Sequence, residues 1–420
     1  MTQSTLKSRV REDFIAKYSS ILLKNSGHKN DVAVVVRNIL EGILSQPRNP
    51  LKEIERENII NELVDEFAGF GPIEQLMADP DVTEIMINGT HNVYVEKYGK
   101  KVLTDMKFDS DQQLMYIIQK ILSPTRRRVD ESIPYTDICL PDGSRVNIII
   151  PPLALDGPTI TIRKFLKKII SAEDLVRLGT LDRRMADFLI ACIKGKINIM
   201  FSGATGSGKT TTVGVLSSYI GNDERTITIE DTAELHLAQD HVVRLETKPP
   251  NIEGKGEITI RDLFRNTLRM RPQRIILGEI RSAEALDMLQ AMCSGHSGAL
   301  SVIHADTPED VMYRLETIIL MSGVPISLEA IHRQIASALN LVIQQDQLAD
   351  GTRKITRITQ VNGLKDGWVN LEDLFYYDIE HVDKDGVVHG NFKATGVLPV
   401  FYPAFGKRGV VLSEEIFNKD

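Results

Sequence analysis

Residues 203–210 read Gly-Ala-Thr-Gly-Ser-Gly-Lys-Thr, a match to the pattern G-x-x-x-x-G-K-[ST]. The apolar run Ile197–Phe201 precedes it and a helical stretch follows, so the pattern falls where a strand turns into a helix. The glycines let the backbone curl tightly, aiming successive N–H groups inward at phosphate oxygens. The helix that begins there adds its positive end. The expected ligand is ATP with Mg²⁺. Gly203, Ala204, Thr205, Gly206, Ser207 and Gly208 would cradle its phosphates, with Thr211 just inside the helix. Lys209 would reach the β- and γ-phosphates, and the Thr210 hydroxyl would bind Mg²⁺. A loop of this kind belongs to an α/β fold, which constrains everything around it.

The surrounding sequence fits that constraint. Apolar strand-like runs recur at Thr226–Ile229, Arg274–Leu277 and Ala299–Ile303, each followed by a helical stretch. Strand and helix in alternation predict a mostly parallel sheet wrapped by helices. Ligands gather at the carboxyl ends of such strands, so the polar residues there are the candidates for chemistry. Ile275-Ile-Leu-Gly-Glu279 ends an apolar strand in an acid, and Glu279 is read as the group that polarises the attacking water. Gly278 stands where many P-loop enzymes carry an Mg²⁺-binding aspartate. Glu230, in Thr228-Ile-Glu-Asp-Thr-Ala-Glu234, is a candidate second water- or metal-orienting group. His304 follows another apolar strand and is a candidate γ-phosphate or water contact, with His296 a weaker one. Thr307-Pro308 should then open a helix, with a cap and a proline at its first position.

The first half of the chain has a different texture. Leu6, Val10, Phe14 and Tyr18 recur every four residues, and Val32, Val36, Ile39 and Ile43 keep helical spacing, as do Ile60, Leu63 and Phe67. Pro47 and Pro50 punctuate them. From Gly69 onward, strand-like Glu84–Asn88, Val93–Tyr98, Asp137–Leu140, Arg145–Ile150 and Thr159–Arg163 accompany a helix near Asp111–Leu122. The expected organisation is a helical domain over 1–68, an α+β domain over 69–165, a linker over 166–180, the ATPase domain over 181–395, and a tail over 396–420. Arg145 and Arg163, on the last strands of the α+β domain, are candidates to meet the charge that develops on a transferring phosphate. The run Arg126–Arg128 reads as a solvated patch.

Composition narrows the function classes. The 420 residues carry a formal charge of -7, with 25% charged and 42% apolar residues. A dedicated nucleic-acid binder would show a basic excess, so no direct nucleic-acid partner is expected. No apolar run reaches the roughly 20 residues that span a bilayer, and Met1–Lys17 is polar and of mixed charge. The three cysteines, Cys139, Cys192 and Cys293, are far apart, which suits a reducing compartment. A cytoplasmic protein is the expectation.

These motifs together resemble a known family. Gly203–Thr210, Thr228–Leu235, Leu268–Arg281 and Gly295–His304 look like the Walker A, Asp-box, Walker B and His-box blocks of the type II/type IV secretion ATPases. The segment Val242–Gly256 (Val-Val-Arg-Leu-Glu-Thr-Lys-Pro-Pro-Asn-Ile-Glu-Gly-Lys-Gly) resembles the tight-adherence (Tad) pilus assembly ATPases in particular. So do Arg128-Val-Asp-Glu-Ser, Leu140-Pro-Asp-Gly-Ser-Arg-Val-Asn147 and Pro151-Pro-Leu-Ala-Leu-Asp-Gly157. The resemblance runs from about residue 65 to the tail at Ala394–Phe417. It implies a RecA-like P-loop motor domain behind an N-terminal domain, a homo-hexameric ring, and partners in an inner-membrane platform. The chain would then be peripheral at that membrane, associated through those partners. The resemblance also implies phosphate contacts from Arg145 and Arg163. A four-cysteine cluster, present in many type II secretion ATPases, is missing from this sequence.

Overall fold

The computed structural model describes residues 9–10, 14, 29–44, 53–123, 125, 127–140, 142–164, 171–250 and 254–419. Leu6, Tyr18, Pro47, Pro50, Arg126, Pro141, Phe165, residues 167–170 and residues 251–253 lie outside them, as does the Val32 side chain. The chain divides into two compact units, Met1–Leu166 and Lys167–Asp420.

In the first unit, the helices Lys29–Leu44 and Glu53–Ala68 close on one another through Val36, Leu40, Leu44, Ile59, Ile60, Leu63 and Phe67. The three-to-four-residue spacing puts these side chains on facing stripes. Val10 and Phe14 join that core, and the Phe14 ring stacks on Phe67 with centroids 4.2 Å apart. Among the described residues, six strands follow: β1 (Val82–Asn88), β2 (Asn92–Lys97), β3 (Lys100–Leu103), β4 (Tyr135–Cys139), β5 (Arg145–Ile149) and β6 (Thr159–Arg163). They pair antiparallel in the order β3-β2-β1-β6-β5-β4. Alternate residues such as Ile85, Ile87, Val146, Ile148, Ile160 and Ile162 form a buried face. The helix Asp111–Leu122 packs in the same core through Leu114, Ile117, Ile118 and Ile121. Its start is capped by Ser110, which accepts from Gln113 N.

The register of β5 against β6 sets Arg145 directly opposite Arg163. Their sequence neighbours Val146 and Ile162 point into the core, so the alternation leaves both arginines on the other face. Glu84 flanks Arg163 on the β1 side.

The second unit is built on one sheet, nine-stranded among the described residues. Its strands are β7 (Ile199–Ser202), β8 (Thr226–Glu230), β9 (Val242–Glu246), β10 (Arg274–Leu277), β11 (Leu300–Ile303), β12 (Leu341–Gln347), β13 (Arg353–Lys365), β14 (Trp368–Val382) and β15 (Val388–Ala394). The order is β15-β14-β13-β12-β7-β11-β10-β8-β9. From β12 to β9 every pairing is parallel, while β13, β14 and β15 add antiparallel strands at one side. Every residue of β7, β10 and β11 is buried, as in a sheet covered on both faces. One core gathers Phe188, Leu189, Phe201, Leu216 and Phe375, and the other Leu277, Leu289, Ile303, Leu315 and Ile335.

The loop after β7 lies at a topological switch point. The chain leaves β7 for β8 three places away, later inserts β11 between β7 and β10, and then crosses to β12 on the far side. A strand inserted between the phosphate-loop strand and the Walker B strand makes the unit RecA-like. The stretch 171–180 begins with a capping box, Ser171 with Asp174, on the helix Ala172–Arg177, and it buries Ala172 and Leu175 in this unit's core. Phe405 and Phe417 from the tail enter the same core, with Phe417 edge-on to Phe188 at 5.3 Å. Among the described residues, no helix is long and apolar enough to cross a membrane.

Candidate active site

The loop that follows β7 takes the shape its glycines permit. Gly203, Gly206 and Gly208 have φ of 144°, 84° and 97°, values that side-chain-bearing residues rarely adopt. Gly208 is the N-cap of the helix Lys209–Ser217. A Cβ on Gly203 would collide with the Gln345 carbonyl of β12, so that position admits no side chain. Ser207 and Lys209 are buried, Gly206 and Thr210 half-buried, and Ala204, Thr205 and Thr211 exposed. Lys209 Nζ donates to Gly203 O at 2.8 Å and Ala204 O at 2.7 Å. Two loop carbonyls thus hold the ammonium group against the loop.

Parallel pairing carries the other motifs to the same end of the sheet. Because β7, β11, β10 and β8 are consecutive neighbours, the residues just past them line up in that order. His304 Nδ1 lies 3.5 Å from Lys209 Nζ, and His304 Nε2 lies 3.3 Å from Glu279 Oε1. Glu279 Oε2 accepts from Arg281 at 2.7 Å, and Arg281 reaches on to Asp231 Oδ2 at 3.1 Å. Four motifs that are scattered over 100 residues of sequence thus form one continuous polar row. His304 sits between Lys209 and Glu279 because β11 is inserted between their strands.

Both titratable groups at the middle of the row, Glu279 and His304, have lowered pKa values. Burial pushes the Glu279 carboxyl upward, but Arg281, His304 and Lys209 outweigh it and hold the group below its ordinary range. Burial and the Lys209 ammonium both push His304 down. A neutral imidazole can then donate from Nε2 to an ionised Glu279 while Nδ1 faces the lysine.

Glu230 behaves differently. Its Oε2 accepts from Glu234 N at 2.8 Å and Leu235 N at 3.0 Å, while Oε1 is buried with no hydrogen-bond partner among the described residues. Burial raises its pKa despite those two backbone donors. The space beside Gly278 is filled by this side chain. Glu230 therefore reaches the same end of the sheet as Glu279 but folds back on its own loop.

The other predicted residues divide clearly. Arg145 and Arg163 belong to the first unit, as cross-strand partners. His296 precedes β11, at the end opposite His304, and its backbone N–H donates to Ala291 O. Thr307 caps the helix Pro308–Met321, with proline in its first turn. Sequence reasoning passed over Arg281, although it stands two residues beyond Glu279. It also passed over Asp306, Tyr313 and Arg314, which line an open pocket of about 570 Å³ with Gly203, Ala204 and His304. Residues 306–314 follow His304 directly, and that continuity was the available signal. Among the described residues, no three His, Cys, Asp or Glu side chains form a ready-made metal site.

Comparison with known proteins shows the family. The sequence profile of the type II/IV secretion system protein family matches residues 66–366, well over half of the chain. VirB11 of Agrobacterium fabrum is 32% identical over 305 residues, covering 65% of this chain and 87% of that protein. The conjugal transfer protein TrbB of Rhizobium radiobacter is 28% identical over 298 residues, covering 70% of this chain and 88% of that protein. Among solved structures, the VirB11 ATPase of the Brucella suis type IV secretion system, in complex with sulphate, is 27% identical with a TM-score of 0.38. That match covers 68% of this chain and 94% of the Brucella chain. This chain belongs to the type II/IV secretion system protein family and is an ATP-hydrolysing enzyme of it.

Proposed function

We propose that the chain is an Mg²⁺-dependent motor that works as a homo-hexamer and drives assembly of a Tad-type, type IV pilus through an inner-membrane platform. The observation that carries the enzymatic part is the row from Lys209 through His304 to Glu279, with the phosphate loop at one end. Lys209 and the loop N–H groups hold the β- and γ-phosphates, and the Thr210 hydroxyl holds the accompanying Mg²⁺. Glu279 polarises a water, which attacks the γ-phosphorus while the bond to the bridging oxygen breaks, giving ADP and phosphate. His304 orients that water or the γ-phosphate, and Glu230 is a second orienting group. Arg145 and Arg163 supply further cationic charge from the N-terminal domain, whose closure over nucleotide would convert hydrolysis into movement. In this reading residues 1–68 form a docking or packing module, 69–165 the arginine-bearing domain, and 181–395 the motor. The protein acts from the cytoplasm, peripheral at the inner membrane through its platform partners.

The pilus assignment rests on Val242–Gly256, Arg128–Ser132, Leu140–Asn147 and Pro151–Gly157, whose sequences resemble Tad ATPases. A second reading, a motor for DNA or effector export, is favoured by the names of the relatives, which include a conjugal transfer protein and a type IV secretion ATPase. Deleting the gene in its host separates the two. Loss of surface fibres with export intact supports the pilus motor; intact fibres with export abolished supports the second reading. Turnover stimulated by DNA in the purified protein would instead favour a nucleic-acid translocase.

A further inference from the structure

The phosphate loop rests on a hairpin that none of its motifs includes. Arg353, the first residue of β13, donates from Nε to Gly206 O at 2.8 Å. A Cβ on Gly208 would lie 2.9 Å from Gln345 Nε2 and 3.2 Å from Arg353 Cδ, so both side chains lie flush against the loop. Gln345 is 2% exposed and its Oε1 has no hydrogen-bond partner among the described residues. Arg353 pairs with Gln347 across β12–β13, and the turn between them is closed by Leu348 N donating to Thr352 O at 2.8 Å. Asp350 in that turn accepts from Thr352 N and from Val388 N at the start of β15. The arginine is thus anchored to the antiparallel side of the sheet.

The peptide group is planar and trans, so a carbonyl and the N–H that follows it point in opposite directions. Holding the Gly206 carbonyl on the Arg353 side turns the Ser207 N–H the other way, into the loop. That N–H is directed at Ala204 O, 3.4 Å away, the same oxygen that takes Lys209 Nζ. We propose that Arg353 is a positioning residue for nucleotide binding: by fixing the Gly206–Ser207 peptide it holds the Ala204–Ser207 turn, and with it the loop shape that receives the phosphates, and it ties the β12–β13 hairpin to nucleotide occupancy. This rests on the reading of Gly203–Thr210 as the nucleotide site. A donor to the phosphate cradle serves ADP and ATP alike, so its effect belongs to binding more than to the chemical step.

The test titrates fluorescent ADP and ATP analogues against the full chain, Arg353→Ala, Arg353→Lys and Lys209→Ala. Arg353→Ala should weaken both nucleotides roughly ten- to hundredfold, the range for losing a hydrogen bond to a charged group. KM should rise far more than kcat falls. Low-millimolar guanidinium should restore part of the affinity, and Arg353→Lys should recover less than that, having no planar fork. Unchanged affinity overturns the proposal, as does a fall in kcat with affinity kept. A loss of affinity that guanidinium leaves untouched also overturns it, since that is the mark of a fold defect. Lys209→Ala is the separate control: nucleotide binding as tight as the parent's would remove the phosphate-loop reading itself.

Discussion

Glu230 occupies the space that Gly278 leaves empty, since a Cβ at position 278 would stand 2.8 Å from Glu230 Cγ. The missing aspartate of the Walker B strand and the buried glutamate of the neighbouring strand are therefore one packing solution. Gly278→Ala should displace Glu230, lower turnover, and cost about 1–3 kcal/mol in stability, the usual range for overpacking. Adding Glu230→Ala should relieve the clash, so the two changes together should destabilise less than their sum. Thermal melts of the four proteins check this; strict additivity would mean that the two sites do not touch.

Glu230→Gln should stabilise the protein while slowing it. Burial holds the folded-state pKa of this carboxyl above its unfolded value. The group therefore opposes folding above that raised pKa, where it must ionise inside the protein, and the penalty vanishes below its unfolded value near ~4.3. Glutamine keeps an oxygen to accept from Glu234 N and Leu235 N and carries no charge. The melting temperature at neutral pH should rise, and the gain should disappear as pH falls toward about 4. Equal melting temperatures at neutral pH would show that burial costs this carboxylate nothing.

Glu279→Gln should still bind MgATP while hydrolysis drops by roughly 10²–10⁴, the scale of a lost general base. His304→Ala should keep ADP affinity and lose turnover. Equal loss of ADP binding in the histidine variant would assign His304 to packing. Since Arg281 contributes to holding Glu279 ionised, Arg281→Ala should move the acid limb of the kcat–pH profile to higher pH. A profile that drops in height without moving would mean that Arg281 contacts the substrate instead.

Much of the motor was legible because it rests on local rules. The glycine spacing, the apolar strand ends and the Thr307-Pro308 cap each announce a backbone state that few sequences allow. The order along the active row was not legible. That Lys209 meets His304 before Glu279 follows from β11 entering between β7 and β10, a non-local pairing. The antiparallel strands β13 and β14 also escaped notice. They run 13 and 15 residues, are half-exposed, and carry register shifts at Ile358/Thr359 and Val361/Leu364, so no clean alternation survives. Arg353 and Gln345 were invisible for the same reason. They lie against a loop more than 130 positions earlier in the sequence, a contact that no local pattern announces.

Arg145 and Arg163 face each other across β5 and β6. Like charges set directly opposite on neighbouring strands destabilise a sheet, and here two arginines are in register, with Cys139 next to Arg145 and Glu84 next to Arg163 in the row. An anion bridging both guanidinium groups would offset that repulsion, and bidentate donors suit a phosphate. If the N-terminal domain closes over ATP and delivers this pair, hydrolysis requires the domain while nucleotide binding does not. A protein beginning at Ser171, which retains both cores of the second unit, should then bind nucleotide and hydrolyse it very slowly. Arg163→Ala in the full chain should lower kcat by roughly 10³ or more, as losing an arginine finger does. It should leave the melting temperature unchanged or raised, since it removes one of two like charges that stand in register. The two readings part on one measurement: a truncated protein that turns over ATP as fast as the full chain excludes the arginines from catalysis.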